Sequence, residues 1–255
     1  MTGPTPLLDF FRRGEVARDV RLLAAQGGLA PRAHEQLALL ILLLEDSDSD
    51  IRSTASQTLS SIPTPALQAF LARSDAPVEI RSFFASRNVH PGNAAPAEDD
   101  SPLVDPAGGS RPAEGGDRES ITQQIASMGF TDRLKAAVKG SREMRAVLIR
   151  DPNKMIAAAV LSSPKLTDQE VESFARMTNV SEEVLRIIGN NRAWTKNYGV
   201  VSGLTRNAKT PLAVSMNLLN RLNDRDLQMI SIDRNVPGTL RIAARKRIVE
   251  SASRK

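Results

Sequence analysis

Cysteine is absent from all 255 residues, which excludes disulfides, thiolate metal sites and thiol nucleophiles. Histidine occurs only as His34 and His90, neither with a second histidine at helical spacing, so no metal-ligand set can be assembled from them. Aromatic residues make up 4% of the chain, with one Trp and one Tyr. The interior must then be aliphatic, which suits stacked short helices and disfavours an all-β fold. The longest apolar run, Leu37 to Leu44, falls far short of the roughly 20 residues that a membrane span needs. Near the start, Arg12 and Arg13 follow the apolar residues instead of preceding them, and no small-residue cleavage pattern follows. No secretory signal and no membrane partner are expected, and the expected location is cytoplasmic. Neither a nucleophile elbow nor a phosphate loop is present, so neither catalysis nor a cofactor is expected.

What is present is ordinary for a globular chain, at 41% hydrophobic against 25% charged residues, and long enough for two modest domains. The net charge of +5 conceals an asymmetry. Up to Asp117 there are 10 basic and 16 acidic residues, a balance of −6; after it there are 24 and 13, a balance of +11. Two readings follow: the halves attract each other in an intramolecular contact, or the basic half meets an acidic partner. Between them, residues 91–118 are rich in Pro, Gly, Ala and acidic side chains and read as a disordered linker. The expected organisation is an acidic helical lobe at 1–90, this linker, and a basic helical lobe at 119–255.

The second lobe contains a repeat. Asp151, Asn179, Asn207 and Asn235 are spaced 28 residues apart. Five residues after each stands Ile156, Val184, Leu212 or Leu240, and nine after stands Val160, Ile188, Met216 or Ala244. A further register holds Leu166, Trp194 and Leu222. Asp or Asn at a helix start accepts hydrogen bonds from free backbone N–H groups, and positions four apart share a face. Each unit is therefore expected to be a pair of short helices opened by the Asp or Asn, with Asp168 and Asp224 opening second helices. At a 56-residue offset Leu148 meets Leu204, Arg150 meets Arg206, Leu166 meets Leu222, and Asn179-Val180 meets Asn235-Val236.

The first lobe carries a looser version, with Asp46 and Asp75 followed at five residues by Ile51 and Ile80, and at nine by Ala55 and Phe84. Asp48-Ser49-Asp50-Ile51-Arg52-Ser53-Thr54-Ala55, with Leu59 four further on, resembles the HEAT-type pattern of an acidic turn, an aliphatic-Arg pair, a small residue and a leucine. The second lobe's 28-residue unit, with its Arg-Asp-Pro-Asn and Arg-Asn-Ala-Lys-Thr-Pro openings, is similar to leucine-rich-repeat variants and to bacterial helical-repeat proteins over about 110 residues. That unit is shorter than standard HEAT spacing. The resemblance implies an extended concave face that binds protein or nucleic acid, and implies no reaction.

The run Glu45-Asp46-Ser47-Asp48-Ser49-Asp50 invites a calcium-loop reading, but an EF-hand counted from Asp46 needs Gly and Glu where this chain has Ile51 and Gln57. Helix capping accounts for it better. Cationic, polar and aromatic groups crowd together in Asn190, Asn191, Arg192, Trp194, Lys196 and Tyr198, which could hold an acidic partner or stack bases. Trp194, sharing the register of Leu166 and Leu222, is expected in the core, with Arg192, Lys196 and Tyr198 partly exposed. Arg145, Arg150, Arg206 and Arg234 recur near unit boundaries; they either form a ladder facing a ligand or bond to carbonyls ending the preceding helix. The final helix, expected over about 237–253, caps the array with a polar outer surface.

Together these features predict an all-α protein, an α-solenoid of short helix pairs in two lobes, with four repeat units from about residue 131 onward. The function expected is a non-catalytic scaffold or adaptor that binds an acidic protein surface through the basic lobe. The alternative is backbone binding of DNA or RNA, including the kind seen in HEAT-like alkylpurine DNA glycosylases. Base excision would need a carboxylate among aromatic residues, and none lies near Trp194 and Tyr198 in sequence.

Overall fold

The computed structural model describes residues 5–92, 100–104 and 118–252, and every regular element among them is helical. The elements are α1 (Pro6–Arg12), α2 (Arg18–Ala25), α3 (Ala33–Leu43), α4 (Ser49–Ser61), α5 (Thr64–Leu71), α6 (Val78–Ala85), α7 (Arg118–Ser127) and α8 (Phe130–Lys139). They continue with α9 (Arg142–Leu148), α10 (Lys154–Val160), α11 (Asp168–Arg176), α12 (Glu182–Asn190), α13 (Tyr198–Arg206), α14 (Leu212–Leu219), α15 (Asp224–Ile232) and α16 (Gly238–Ala252). A 3-10 turn, Trp194–Lys196, lies between α12 and α13. The chain divides into two compact units. The first runs up to Arg145 and takes in Ser162–Pro164; the second is Ala146–Leu161 with Lys165 onward. The division falls inside α9, with α7 and α8 belonging to the first unit.

In the first unit, α3 packs against α1, α2 and α4. It is apolar nearly all round and buries Leu37, Leu39, Leu40 and Leu43, as a central helix must. The acidic turn before α4 performs two local jobs. Asp48 accepts the Asp50 N–H at 2.9 Å and caps the helix, which then buries Ile51 and Ala55 one turn apart. Its carboxylates also hold α2 in place: Arg18 reaches Asp48 at 2.5 Å and Asp50 at 2.9 Å, and Arg21 reaches Asp46 at 2.7 Å. Ile80 and Phe84 are buried on α6, as the spacing from Asp75 predicts.

Within the stretch expected to be a disordered linker, Asp100–Val104 is placed against the start of α3 by hydrogen bonds to Ala33, His34 and Gln36. The remaining parts of that stretch with linker composition, 93–99 and 105–117, lie outside the described residues.

In the second unit the helices alternate. α10 packs on α12, α12 on α14 and α14 on α16, while α11 packs on α13; cross-contacts join α11 to α12, α12 to α13, α13 to α14, and α15 to α16. The 56-residue offset is carried by the helices themselves: α9 and α13, α11 and α15, and α12 and α16 each begin 56 residues apart. Asp168 and Asp224 open α11 and α15 as expected, behind the caps Thr167 and Asn223. Thr167 forms a reciprocal capping box with Glu170.

Two expectations are corrected. Asp151, Asn179 and Asn207 do not cap the following helices; Asn153 caps α10 and Ser181 caps α12, both by side-chain acceptance, and Pro211 occupies the cap position of α14. Asp151 and Asn207 instead fold the connecting loops, accepting the N–H groups of Asn153 at 2.8 Å and Lys209 at 3.0 Å. Asn207 also donates to the Ala175 and Met177 carbonyls at the end of α11, at 3.0 and 2.9 Å. The second correction concerns register. Ile156, Val184 and Leu240 are fully buried, but Leu212 is 40% and Met216 39% exposed. Val214 and Leu218 point inward in their place. Val214 lies 30 residues after Val184 and 26 before Leu240, so the 28-residue spacing slips by two at α14; the 56-residue match holds from Val184 to Leu240 but not from Ile156 to Leu212. Gly189 of α12 supplies the reason: a Cβ there would strike the Val214 side chain, so the groove fits Val214.

Candidate functional site

The segment 190–198 joins α12 to α13, and its polar residues are used largely to build the join. Asn190 is exposed at the end of α12. Asn191 follows it and accepts the Ala193 N–H at 2.9 Å and the Trp194 N–H at 3.4 Å through its side chain. Its carbonyl accepts the Thr195 hydroxyl at 2.9 Å. These bonds shape the 3-10 turn, which packs on α12 and α13 and places Trp194 in the interior, 5% exposed. Trp194 is therefore a core residue, as its register predicts. Asn197 then caps α13 by accepting the Gly199 N–H at 2.8 Å.

Arg192 and Lys196 flank the buried Trp194 and are exposed, and their side chains make no hydrogen bond or ion pair among the described residues. Tyr198 is 42% exposed, yet its hydroxyl is committed. It donates to the Asp226 carboxylate of α15 and accepts the Asn223 N–H at 3.2 Å. Burial first, and then the hydrogen bond to Asp226, push its phenol above the ordinary value. Tyr198 thus ties the start of α13 to the start of α15, one 28-residue step away. A second carboxylate, Glu172, lies over Gly199, where a Cβ would collide with it, and is paired with Arg176 at 2.5 Å.

The recurring arginines divide. Arg145 is buried and donates to the Gly140 carbonyl at 3.1 Å. Arg150 folds back so that Nε and Nη2 both donate to the Ala146 carbonyl of α9, at 3.1 and 2.9 Å, the second of the two roles open to it in the sequence. Arg206 ends α13 and Arg234 lies in the α15–α16 loop; both are exposed, with no partner among the described residues. Arg150 and Arg234 each stand two residues beyond their helix, a place that Ala208 takes after α13. Arg206 is accordingly out of step with the other two.

Sequence reasoning missed three features. Asp226 and Glu172 are brought to Tyr198 and Gly199 only by packing between helices distant in sequence, and nothing local signals it. Arg245 repeats the role of Arg150, donating to the Ser231 carbonyl near the end of α15 at 3.1 Å. Large apolar side chains also remain on the surface of this unit: Leu212 and Met216 on α14, Met229 and Ile232 on α15, and Ile242 and Val249 on α16. The outer surface of the final helix is thus less polar than expected. Among the described residues no helix is long and apolar enough to cross a membrane.

No family model, curated protein or solved structure matches this chain.

Proposed function

We propose that the second unit is an α-solenoid scaffold that binds an acidic protein surface through Arg192, Lys196, Arg206 and Arg234, without catalysis. The single observation that carries this reading is the state of those four side chains. All are exposed and unpaired, in a unit whose Arg150, Arg176 and Arg245 are already engaged. Unpaired cations on an ordered helical surface cost nothing to desolvate from an internal partner and attract a carboxylate-rich surface from a distance.

A protein is favoured over a nucleic acid by what accompanies the cations. Leu212, Met216, Met229 and Ile232 add apolar and thioether surface that a protein interface uses and a phosphate backbone does not. The alternating packing supports the solenoid arrangement, since α10, α11, α12 and α14 each meet the next-but-one helix in the manner of stacked repeats.

Two measurements on the full chain test the reading. Anisotropy with labelled mixed-sequence duplex DNA and single-stranded RNA should show no saturable binding at about 150 mM salt; tight binding with a steep salt slope would replace the protein reading by a nucleic-acid one. Crosslinking pull-downs should recover partners whose crosslinked peptides are rich in Asp and Glu, and Arg192→Glu/Lys196→Glu should lose them. Survival of every partner in the charge-reversed chain would overturn the assigned surface.

A further inference from the structure

The segment Asp100–Val104 is seated on the first unit as a ligand would be, and the seat is built from side chains and backbone that read it at two places. At one end, the N-terminus of α3 reads an acid. The Asp100 carbonyl accepts the Ala33 N–H at 2.9 Å, one carboxylate oxygen accepts the His34 N–H at 3.3 Å, and the other is hydrogen-bonded to His34 Nδ1. At the other end, Gln36 reads a stretch of backbone. Its side chain, in a residue only 1% exposed, uses both halves of the amide: Oε1 accepts from Leu103 N–H at 2.7 Å and Val104 N–H at 3.1 Å, and Nε2 donates to the Val104 carbonyl at 2.5 Å. The Gly27 carbonyl, at 2.9 Å from Nε2, holds that amide in orientation. Gly27 has φ +80°, and a Cβ there would stand 3.1 Å from Nε2 and 3.5 Å from the Val104 Cβ. Glycine is the residue that allows both the turn and the close approach.

A buried glutamine that bonds to main-chain N–H and C=O of a non-adjacent extended segment is the means by which a groove binds a peptide largely without regard to its side chains. The Asp contact and the Pro then supply selectivity. Pro102 fixes its own φ and keeps Ser101 extended, so the segment arrives with little conformational freedom left to lose. The occupant is held peripherally: Ser101 is exposed, and Pro102, Leu103 and Val104 are only half-buried.

We propose that the face formed by Gly27, Ala33, His34 and Gln36 is a receptor groove for an extended Asp-x-Pro-aliphatic-aliphatic segment of a partner protein, and that the chain's own 100–104 is a resident ligand which that segment displaces. The site belongs to the first unit and is independent of the cationic surface assigned to the second.

The probe is a fluorescein-labelled nonapeptide with the sequence of residues 98–106, Glu-Asp-Asp-Ser-Pro-Leu-Val-Asp-Pro. It is titrated into the full chain and into the chain with residues 98–106 deleted, which removes the resident backbone and empties the groove. In the wild type the tethered segment competes at an effective concentration on the order of millimolar, so the emptied chain should bind the probe at least about tenfold more tightly. Adding Gln36→Leu or His34→Ala to the emptied chain should abolish or weaken binding by about tenfold or more, with helical circular dichroism unchanged. A probe with its third residue changed from Asp to Ala should bind correspondingly less. Absence of saturable binding to the emptied chain overturns the proposal. So does binding that is indifferent to His34→Ala and to the altered probe, a result that stands even if Gln36→Leu fails to fold.

Discussion

Individual side chains in this protein separate into those that build the fold and those left over, and substitutions distinguish them. Trp194 is buried within the α12–α13 join, and Trp194→Ala should destabilise the second unit by about 3–5 kcal/mol, read as a lowered melting midpoint. Its neighbours Arg192 and Lys196 are exposed and their side chains unpaired, so Arg192→Glu/Lys196→Glu should stay within about 0.5 kcal/mol of wild type while reversing the charge of the proposed binding surface. Two titratable groups give pH signatures of known sign. Burial, the largest influence on Glu35, pushes its carboxyl above the ordinary value. A raised carboxyl penalises the fold only once the unfolded carboxyl ionises, so the penalty is absent below the ordinary glutamate range, grows as pH rises, and levels off above the folded value. Glu35→Gln should therefore leave the melting midpoint nearly unchanged at pH 4 and raise it at pH 8; an equal effect at both would contradict the assignment. For Tyr198 the contribution is complete below the ordinary phenol range and is lost as pH rises through the raised folded value.

At the scale of helices, the second unit shows how far a sequence pattern reaches. The existence of the helices, their aliphatic interior, the openings at Asp168 and Asp224 and the 56-residue period were legible, because they depend on local capping preference and on positions four apart. The inward register of α14 was not. Leu212 and Met216 continue the 28-residue pattern, and only the space left by Gly189 on a non-adjacent helix selects Val214 and Leu218 instead. The caps show a similar limit. Asp and Asn are equally suited to capping a helix and to folding the loop two residues before it, and composition does not choose between the two. Two pairs of substitutions check these assignments by thermal or urea unfolding. Leu218→Ala should cost about 2–5 kcal/mol and Met216→Ala less than about 0.5 kcal/mol. Likewise Ser181→Ala should cost about 1 kcal/mol and Asn179→Ala little, the reverse of what the 28-residue spacing alone suggests. Asp100–Val104 escaped notice for the same reason as α14: a Pro-rich acidic stretch reads as linker, and the glutamine that holds it lies more than sixty residues away.

For the molecule as a whole, the charge asymmetry visible in the sequence becomes specific once internally satisfied cations are set aside. Arg18 and Arg21 of the acidic half are consumed by the turn before α4, and Arg150, Arg176 and Arg245 of the basic half by helix ends and Glu172. Arg192, Lys196, Arg206 and Arg234 are among the exposed cations that remain free, and the proposed scaffold function rests on them. The candidate segment was legible as a crowd of unusual residues, but its division of labour was not: Asn191 and Asn197 shape turns, Trp194 fills the core, and Tyr198 is tied to Asp226 of α15. The most direct measurement compares crosslinked partners of the full-length wild type with those of Arg192→Glu/Lys196→Glu, after both are shown to melt at the same temperature. The account predicts that acidic partners captured by the wild type disappear from the variant. Retention of the same partners at the same yield would contradict it.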